Sequence, residues 1–273
     1  MINKKSKSSD LSAQEAYIRN HHKNHHLVTF WRIIIFISFL ILWEISADLG
    51  WIDSFFFSSP SRVISCFIDL ALDGSLFLHL GITLWETIFS FLLVFVFSIA
   101  TATLLWSSSK LSDILEPYLV ILNSLPKSAL APLFIVWLGT GTTTIIVAGI
   151  SVAVFGSVIS FYTGFKQVDP EKIMLIYTLG GRKKEVFTKV ILPGSIPIML
   201  STTKINIGLA LVGVIIGEFL AARRGLGYLI IYGSQVFQLN LVITSITILC
   251  IIAFGFYKGI QLLEHHMKVR MKM

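Results

Sequence analysis

Charged and polar side chains inside long apolar stretches are where this sequence can do chemistry, and they are few. Lys127 stands between Pro126 and Pro132, Lys204, Asn206 and Glu218 share one apolar run, and Glu44 and Glu86 each interrupt another. A cation at bilayer depth costs about 2.5 to 3.5 kcal/mol on insertion scales and usually faces a cavity. Lys127 and Lys204 therefore read as pathway residues attracting an anionic solute, with Asn206 and Glu218 beside them. The competing reading has each lysine snorkel to the nearby membrane edge. Glu218 reads either as a gate or interface hydrogen-bonding group or as a solvated rim residue. Glu44 and Glu86 are expected to pair with basic groups between helices.

Other chemistries are not spelled out. No Gly-Lys pair occurs, so a nucleotide-binding P-loop is excluded. Neither a His-Glu-x-x-His zinc motif nor a Gly-x-Ser-x-Gly elbow is found. No pair of intramembrane carboxylates is expected to form a proton relay. His21, His22, His25 and His26 make i, i+4 pairs if helical, a metal-compatible spacing. The plainer reading is a solvated or headgroup-facing tail, and no metal site and no cofactor are expected. The chain reads as a conduit rather than an enzyme.

Composition dictates the elements that must position these residues. Of 273 residues, 55% are hydrophobic and only 14% charged, and mean hydropathy is +0.80. A globular domain carries roughly 25% charged residues on its wetted surface, so a soluble enzyme is excluded, as is a disordered or fibrous chain. Residues 87–109, 128–165 and 225–257 hold no Asp, Glu, Lys or Arg, and a bilayer span needs about 20 apolar residues. The expectation is an all-α polytopic membrane protein with six transmembrane helices, near 30–47, 80–106, 117–138, 144–162, 198–219 and 239–257. The third should be broken by Pro126 and Pro132. This divides the chain into a polar tail (1–29), a transmembrane domain (30–262) and a basic tail (263–273).

The net charge of +7 sits in segments flanking these helices, where the positive-inside rule accounts for it. Membrane lipid is thus the expected partner, and nucleic acid is not. The same rule puts both termini, the link around Lys110 and the loop 164–193 in the cytoplasm. Arg223 and Arg224 resist this scheme, because it leaves them outside. A disulfide between Cys66 and Cys250 is not expected, since Cys250 lies in an apolar run. The polar N-terminal stretch shows no cleavage signal, so the first helix should be retained.

The loop 164–193 is legible by itself. Asp169 suits an N-cap, Pro170 the first helical turn, and Gly180-Gly181 the stop. A second amphipathic segment, 183–191, should end at Leu192-Pro193-Gly194. A short capped helix between two spans suits docking, with Met174, Leu175 and Tyr177 entering a partner's groove, or else resting on lipid headgroups. In the fifth span, Asn206, Ala210, Gly213 and Gly217 form one small-residue stripe, open to use as a dimer or pore seam or as a contact within the subunit.

At this point the sequence resembles a known family. Permeases of ATP-binding-cassette importers carry Glu-Ala-Ala, three residues, Gly, nine residues and Ile-x-Leu-Pro in such a loop. This chain has Met174-Leu175-Ile176, Gly180 and Val190-Ile191-Leu192-Pro193 at that spacing, with the Glu-Ala-Ala replaced. Further segments resemble the nitrate/sulfonate/taurine branch: Leu125-Pro126-Lys127 to Leu133, Trp137-Leu138-Gly139-Thr140-Gly141, Gly217-Glu218-Phe219-Leu220, and Gly225-Leu226-Gly227-Tyr228. The resemblance covers about residues 30–265. It implies a type I importer permease fold in a prokaryotic cell membrane and a pore built from this chain and a second permease copy. It also implies two cytoplasmic ATPases, which bind ATP and magnesium, and an extracytoplasmic solute-binding protein. Coupling would fall to Met174, Leu175, Ile176, Tyr177, Leu179, Gly180, Leu192 and Pro193. The implied solute is a small anion such as a sulfonate, taurine or nitrate. The rival reading is a stand-alone secondary transporter or channel.

Overall fold

The computed structural model describes the backbone of residues 5–270 and the side chains of residues 27–267. The side chains of His21, His22, His25 and His26, and the end of the basic tail, lie outside the described residues. Among the described residues all regular structure is helical.

The chain forms two compact units, Met1–Ser65 and Cys66–Met273. In the first, α1 (Lys5–Asp48) carries an apolar stretch, Leu27–Asp48, and is followed by the short α2 (Ser54–Phe57). Among the described residues Glu44 does not form the expected ion pair with a basic group of another helix. Its carboxylate accepts the Ser61 N–H at 2.9 Å and the Ser61 hydroxyl at 2.6 Å. These bonds satisfy the open start of α3 (Pro60–Leu72), where free N–H groups favour an anion. The sequence reading missed this helix.

In the second unit, α4 (Ser75–Ser107) is followed by α5 (Ser109–Ser124) and α6 (Lys127–Leu138), which meet at 95°. Among the described residues five helices are long and apolar enough to cross a membrane, or six spans if this bent pair counts as one. The bend falls at Pro126 alone. Proline forces its predecessor into extended backbone, and Leu125 has ψ 138°. Pro132 is carried inside α6 without a break, contrary to expectation.

Next come α7 (Thr142–Lys166), α8 (Pro170–Thr178), α9 (Lys183–Val186), a π turn (Phe187–Ile191) and α10 (Leu192–Ala221). The expected stop at Leu192-Pro193-Gly194 does not occur, and helix is continuous from Lys183 to Ala221. In the π turn the Leu192 N–H bonds to the Phe187 carbonyl, five residues back. This wider register admits Pro193, which has no N–H, at the first turn of α10. The chain closes with α11 (Leu226–Gln235), not expected from sequence, and α12 (Leu239–Arg270), which runs past the expected end near 257.

Helix α7 lies between α4 and α10 and makes the most extensive contacts with both. The small-residue stripe forms the α7–α10 seam. A Cβ on Gly213 would stand 2.7 Å from Gly149 Cα and 2.8 Å from the Ala148 carbonyl, so only glycine allows this approach. Asn206 donates to the Ser157 hydroxyl in the same seam. The stripe is therefore a contact within the subunit.

Candidate functional site

Two sites stand at opposite ends of this bundle. From Glu86 to Ser107, at 1.5 Å per residue, α4 alone separates them by about 30 Å.

At one end, α8 is built as a stiff projection. Asp169 Oδ1 accepts the Glu171 N–H at 2.9 Å, and Pro170 occupies the first turn. The helix stops where the Gly181 N–H returns to the Ile176 carbonyl at 2.9 Å, with Gly180 at φ +82°, a conformation that strains any side chain. One face is anchored: Ile173, Ile176 and Leu192 border a core made by Leu105, Phe161, Phe165, Val186 and Ile191. The other face is bare. Met174 is 71% and Leu179 74% exposed, and Leu175 and Tyr177 are exposed beside them. Lys183 Nζ donates to the Ser107 carbonyl at 2.5 Å and lies 5.5 Å from the Trp106 ring, tying the segment to the end of α4. Apolar side chains grouped on an anchored helix form a patch of the kind that meets a partner's groove or a lipid surface.

At the other end Glu218, only 1% exposed, is fixed by the chain that follows it. Its Oε1 accepts the Thr83 hydroxyl at 2.7 Å and its Oε2 the Gly227 N–H at 2.5 Å. Thr83 Oγ1 in turn accepts the Leu226 N–H at 2.8 Å, and His79 Nδ1 accepts the Gly225 N–H at 2.9 Å. The Gly225-Leu226-Gly227 spacing follows from this geometry. Gly225 has φ +117°, and a Cβ there would stand 2.5 Å from both Glu218 oxygens. The backbone must come that close for its N–H groups to reach a buried carboxylate, which would otherwise be costly.

Glu86 corrects the expectation that it would pair with a basic group. It is 1% exposed and lies within hydrogen-bonding reach of Thr142 and the Glu218 carboxyl. The pair was hidden because its members lie on α4 and α10, far apart in sequence. The available signal was local: Thr83 and Glu86 occupy one face of an otherwise apolar helix at i, i+3.

The other residues proposed for a pathway are dispersed. Lys127 Nζ donates to the carbonyls of Leu122, Asn123 and Leu125 at 2.5, 2.8 and 2.9 Å, closing the open end of α5. Lys204 is paired with Glu264 of α12. Asn206 is buried on Ser157. Only Glu218 adjoins the wall of a sizeable cavity, of about 890 Å³, lined by Trp85, Glu86, Thr142, Ile145, Arg223 and Arg224 among others. Among the described residues no cluster of His, Cys, Asp or Glu could hold a metal ion.

Residues 94–261 match the family described as binding-protein-dependent transport system inner membrane component. The chain is 29% identical over 195 residues to a formylaminopyrimidine transport permease of Halalkalibacterium halodurans, covering 71% of this chain and 77% of that protein. To a taurine transport system permease of Escherichia coli it is 28% identical over 234 residues, covering 84% and 85%. Its fold is similar to a chain of a methionine ABC transporter solved in an inward-facing conformation, with TM-score 0.60 and 20% identity, covering 67% of this chain and 91% of that one.

Proposed function

The chain belongs to the family of binding-protein-dependent transport system inner membrane components, and from that premise we propose that it forms the solute path of an ATP-driven importer and couples to a cytoplasmic ATPase through α8. It is a multi-pass membrane protein and a permease of the sulfonate/taurine type. ATP and magnesium would bind on the ATPase, and solute would arrive from a binding protein on the opposite face. Two permease copies and two ATPases complete the assembly, with both termini and the loop 164–193 in the cytoplasm. The solute in this reading is a small anion such as a sulfonate, taurine or nitrate.

The observation that carries the coupling is the two-faced α8. Ile173 and Ile176 lock it to the core between α7 and α10, while Met174, Leu175, Tyr177 and Leu179 offer an apolar face to a groove. A rigid helix joined at both ends to spanning helices transmits displacement without absorbing it. When the ATPases close on ATP, the α8 segments of the two copies would be drawn together, and α7 and α10 would tilt to open the opposite end.

The rival stand-alone carrier gains one observation, the Glu86–Glu218 pair, since buried carboxyls serve proton coupling. That pair is isolated, and Thr83 and Gly227 tie Glu218 to its own loop. Among the described residues no other Asp or Glu is buried between this pair and the α8 end, so ATP coupling is the better reading.

The test is capture of the cognate ATPase by the tagged chain in detergent. Wild type should retain it, and Gly180→Asp and Met174→Asp should lose it, the second without touching the backbone of the turn. Retention by both variants would defeat the assignment of α8.

A further inference from the structure

Helix α8 is joined by the chain itself to α7 and, through α9 and the π turn, to α10, whereas α4 is reached only through side chains. Yet α4 carries Thr83 and Glu86 at the opposite end of the bundle. Its near end is gripped by the loop that holds α8. The last carbonyls of a helix need donors from outside the helical pattern. Here the Ser107 hydroxyl donates to the Leu104 carbonyl at 2.7 Å and the Ser108 N–H to the Leu105 carbonyl at 3.3 Å. The Ser107 carbonyl takes its donor from 76 positions away, from Lys183 Nζ at 2.5 Å. A cation there also meets the negative end of the helix dipole. The same ammonium stands 5.5 Å from the Trp106 ring, which packs on Phe187 with centroids 5.2 Å apart.

Both sides of this link are stiff. Lys183 opens α9, where the Glu185 carboxylate accepts the Arg182 N–H and fixes the turn. On the other side Ser108 Oγ accepts the Leu111 N–H at 3.3 Å and starts α5. The route from α9 into α10, by contrast, passes the π turn Phe187–Ile191, and helix kinks fall at such turns. Among the described residues, the Lys183–Ser107 bond is the only hydrogen bond between 170–191 and α4.

We propose that Lys183 is a positioning residue that carries the displacement of α8 into α4, so that α4 tilts together with α10 when the ATPases close. Through Thr83, α4 then pulls on Glu218 and on the Leu226 backbone at the far end. The inference rests on the importer reading and adds a second arm to it. Lys183 is exposed, and an exposed cation contributes little to stability, so a loss of coupling is separable from a loss of fold.

The experiment uses the chain with its ATPase and binding protein in proteoliposomes. Cys66 and Cys250 are replaced by serine, and a spin-labelled cysteine stands at exposed Leu104 of α4 or exposed Leu220 of α10. Distances between the two copies are read with and without trapped ATP. In wild type both should shift. In Lys183→Met the α10 distance should shift while the α4 distance keeps its nucleotide-free value. Solute uptake per ATP hydrolysed should fall by about 2- to 30-fold, the range over which residues along a coupling path act. Lys183→Arg should restore both readouts. Lys184→Met, which removes the neighbouring charge, should match wild type. An equal α4 shift in Lys183→Met, or unchanged uptake per ATP, overturns the proposal. Loss of both shifts, of ATPase capture or of Tm in that variant also overturns it, because Lys183 would then serve docking or folding rather than a link to α4. Failure of wild type to capture the ATPase refutes the importer reading itself.

Discussion

The Thr83 hydroxyl donates to Glu218 Oε1 at 2.7 Å across 135 positions of sequence, and Thr83 Oγ1 in turn accepts the Leu226 N–H at 2.8 Å. One hydroxyl thus fastens α4 to the end of α10 and to the start of α11. Thr83→Val should leave both Glu218 Oε1 and the Leu226 N–H without this partner, at a cost of about 1 to 3 kcal/mol. Thr83→Ser, which keeps the hydroxyl, should lose far less. Thermal melting of the two variants in detergent gives the comparison, and equal Tm values would show that the hydrogen bonds contribute little.

The α7–α10 seam predicts opposite outcomes for two glycines of one helix. Gly213→Ala drives a methyl into Gly149 and the Ala148 carbonyl and should destabilise by about 1 to 3 kcal/mol. Gly208 has nothing within 4 Å of its would-be Cβ, so Gly208→Ala should be neutral or stabilising by up to about 1 kcal/mol. A lower Tm for the first variant and an unchanged or higher one for the second is the expected pattern.

Neighbouring residues of α8 should separate stability from coupling. Leu175 is exposed, so Leu175→Asp should move stability by no more than about 0.5 kcal/mol while abolishing ATPase capture. Ile176 packs against the core, and Ile176→Asp should lower Tm by burying a charge without a partner. Melting and co-purification run on the same samples distinguish the two effects.

Lys204 and Glu264 form an ion pair between α10 and α12. Lys204→Met alone deprives Glu264 of this cation and should cost more than Lys204→Met/Glu264→Gln together, with a coupling of about 0.5 to 3 kcal/mol in a double-mutant cycle. Solute uptake by the double variant should match wild type. Loss of uptake with stability intact would return Lys204 to the solute path.

What the sequence disclosed and what it hid divide along the range of the interactions. The α8 helix was legible from Asp169-Pro170 to Gly180-Gly181 because caps and stops act within a few residues. The apolar spans were legible because bilayer thickness sets their length. The helix running unbroken through Pro193 was not, since a π turn depends on register that residue preferences do not encode. At the opposite end Glu218 and the Gly225-x-Gly227 spacing were visible, but not that the carboxylate takes its hydrogen bond from Gly227. Glu86 was assigned a basic partner because local pattern cannot reveal which helix becomes its neighbour. Lys127 and Lys204 invited a solute; the bonds of Lys127 to the end of α5 are local and lay within reach of the sequence, whereas the pairing of Lys204 with Glu264 arises only when α10 and α12 come together.

The most direct measurement of the central claim is solute flux in proteoliposomes containing the chain, its ATPase and its binding protein. ATP supplied on the α8 side and loaded binding protein on the other should both be required. Met174→Asp should abolish transport while the binding protein still holds solute. Flux driven by a proton or sodium gradient, with the ATPase absent, would contradict the account and establish the chain as a carrier that works alone.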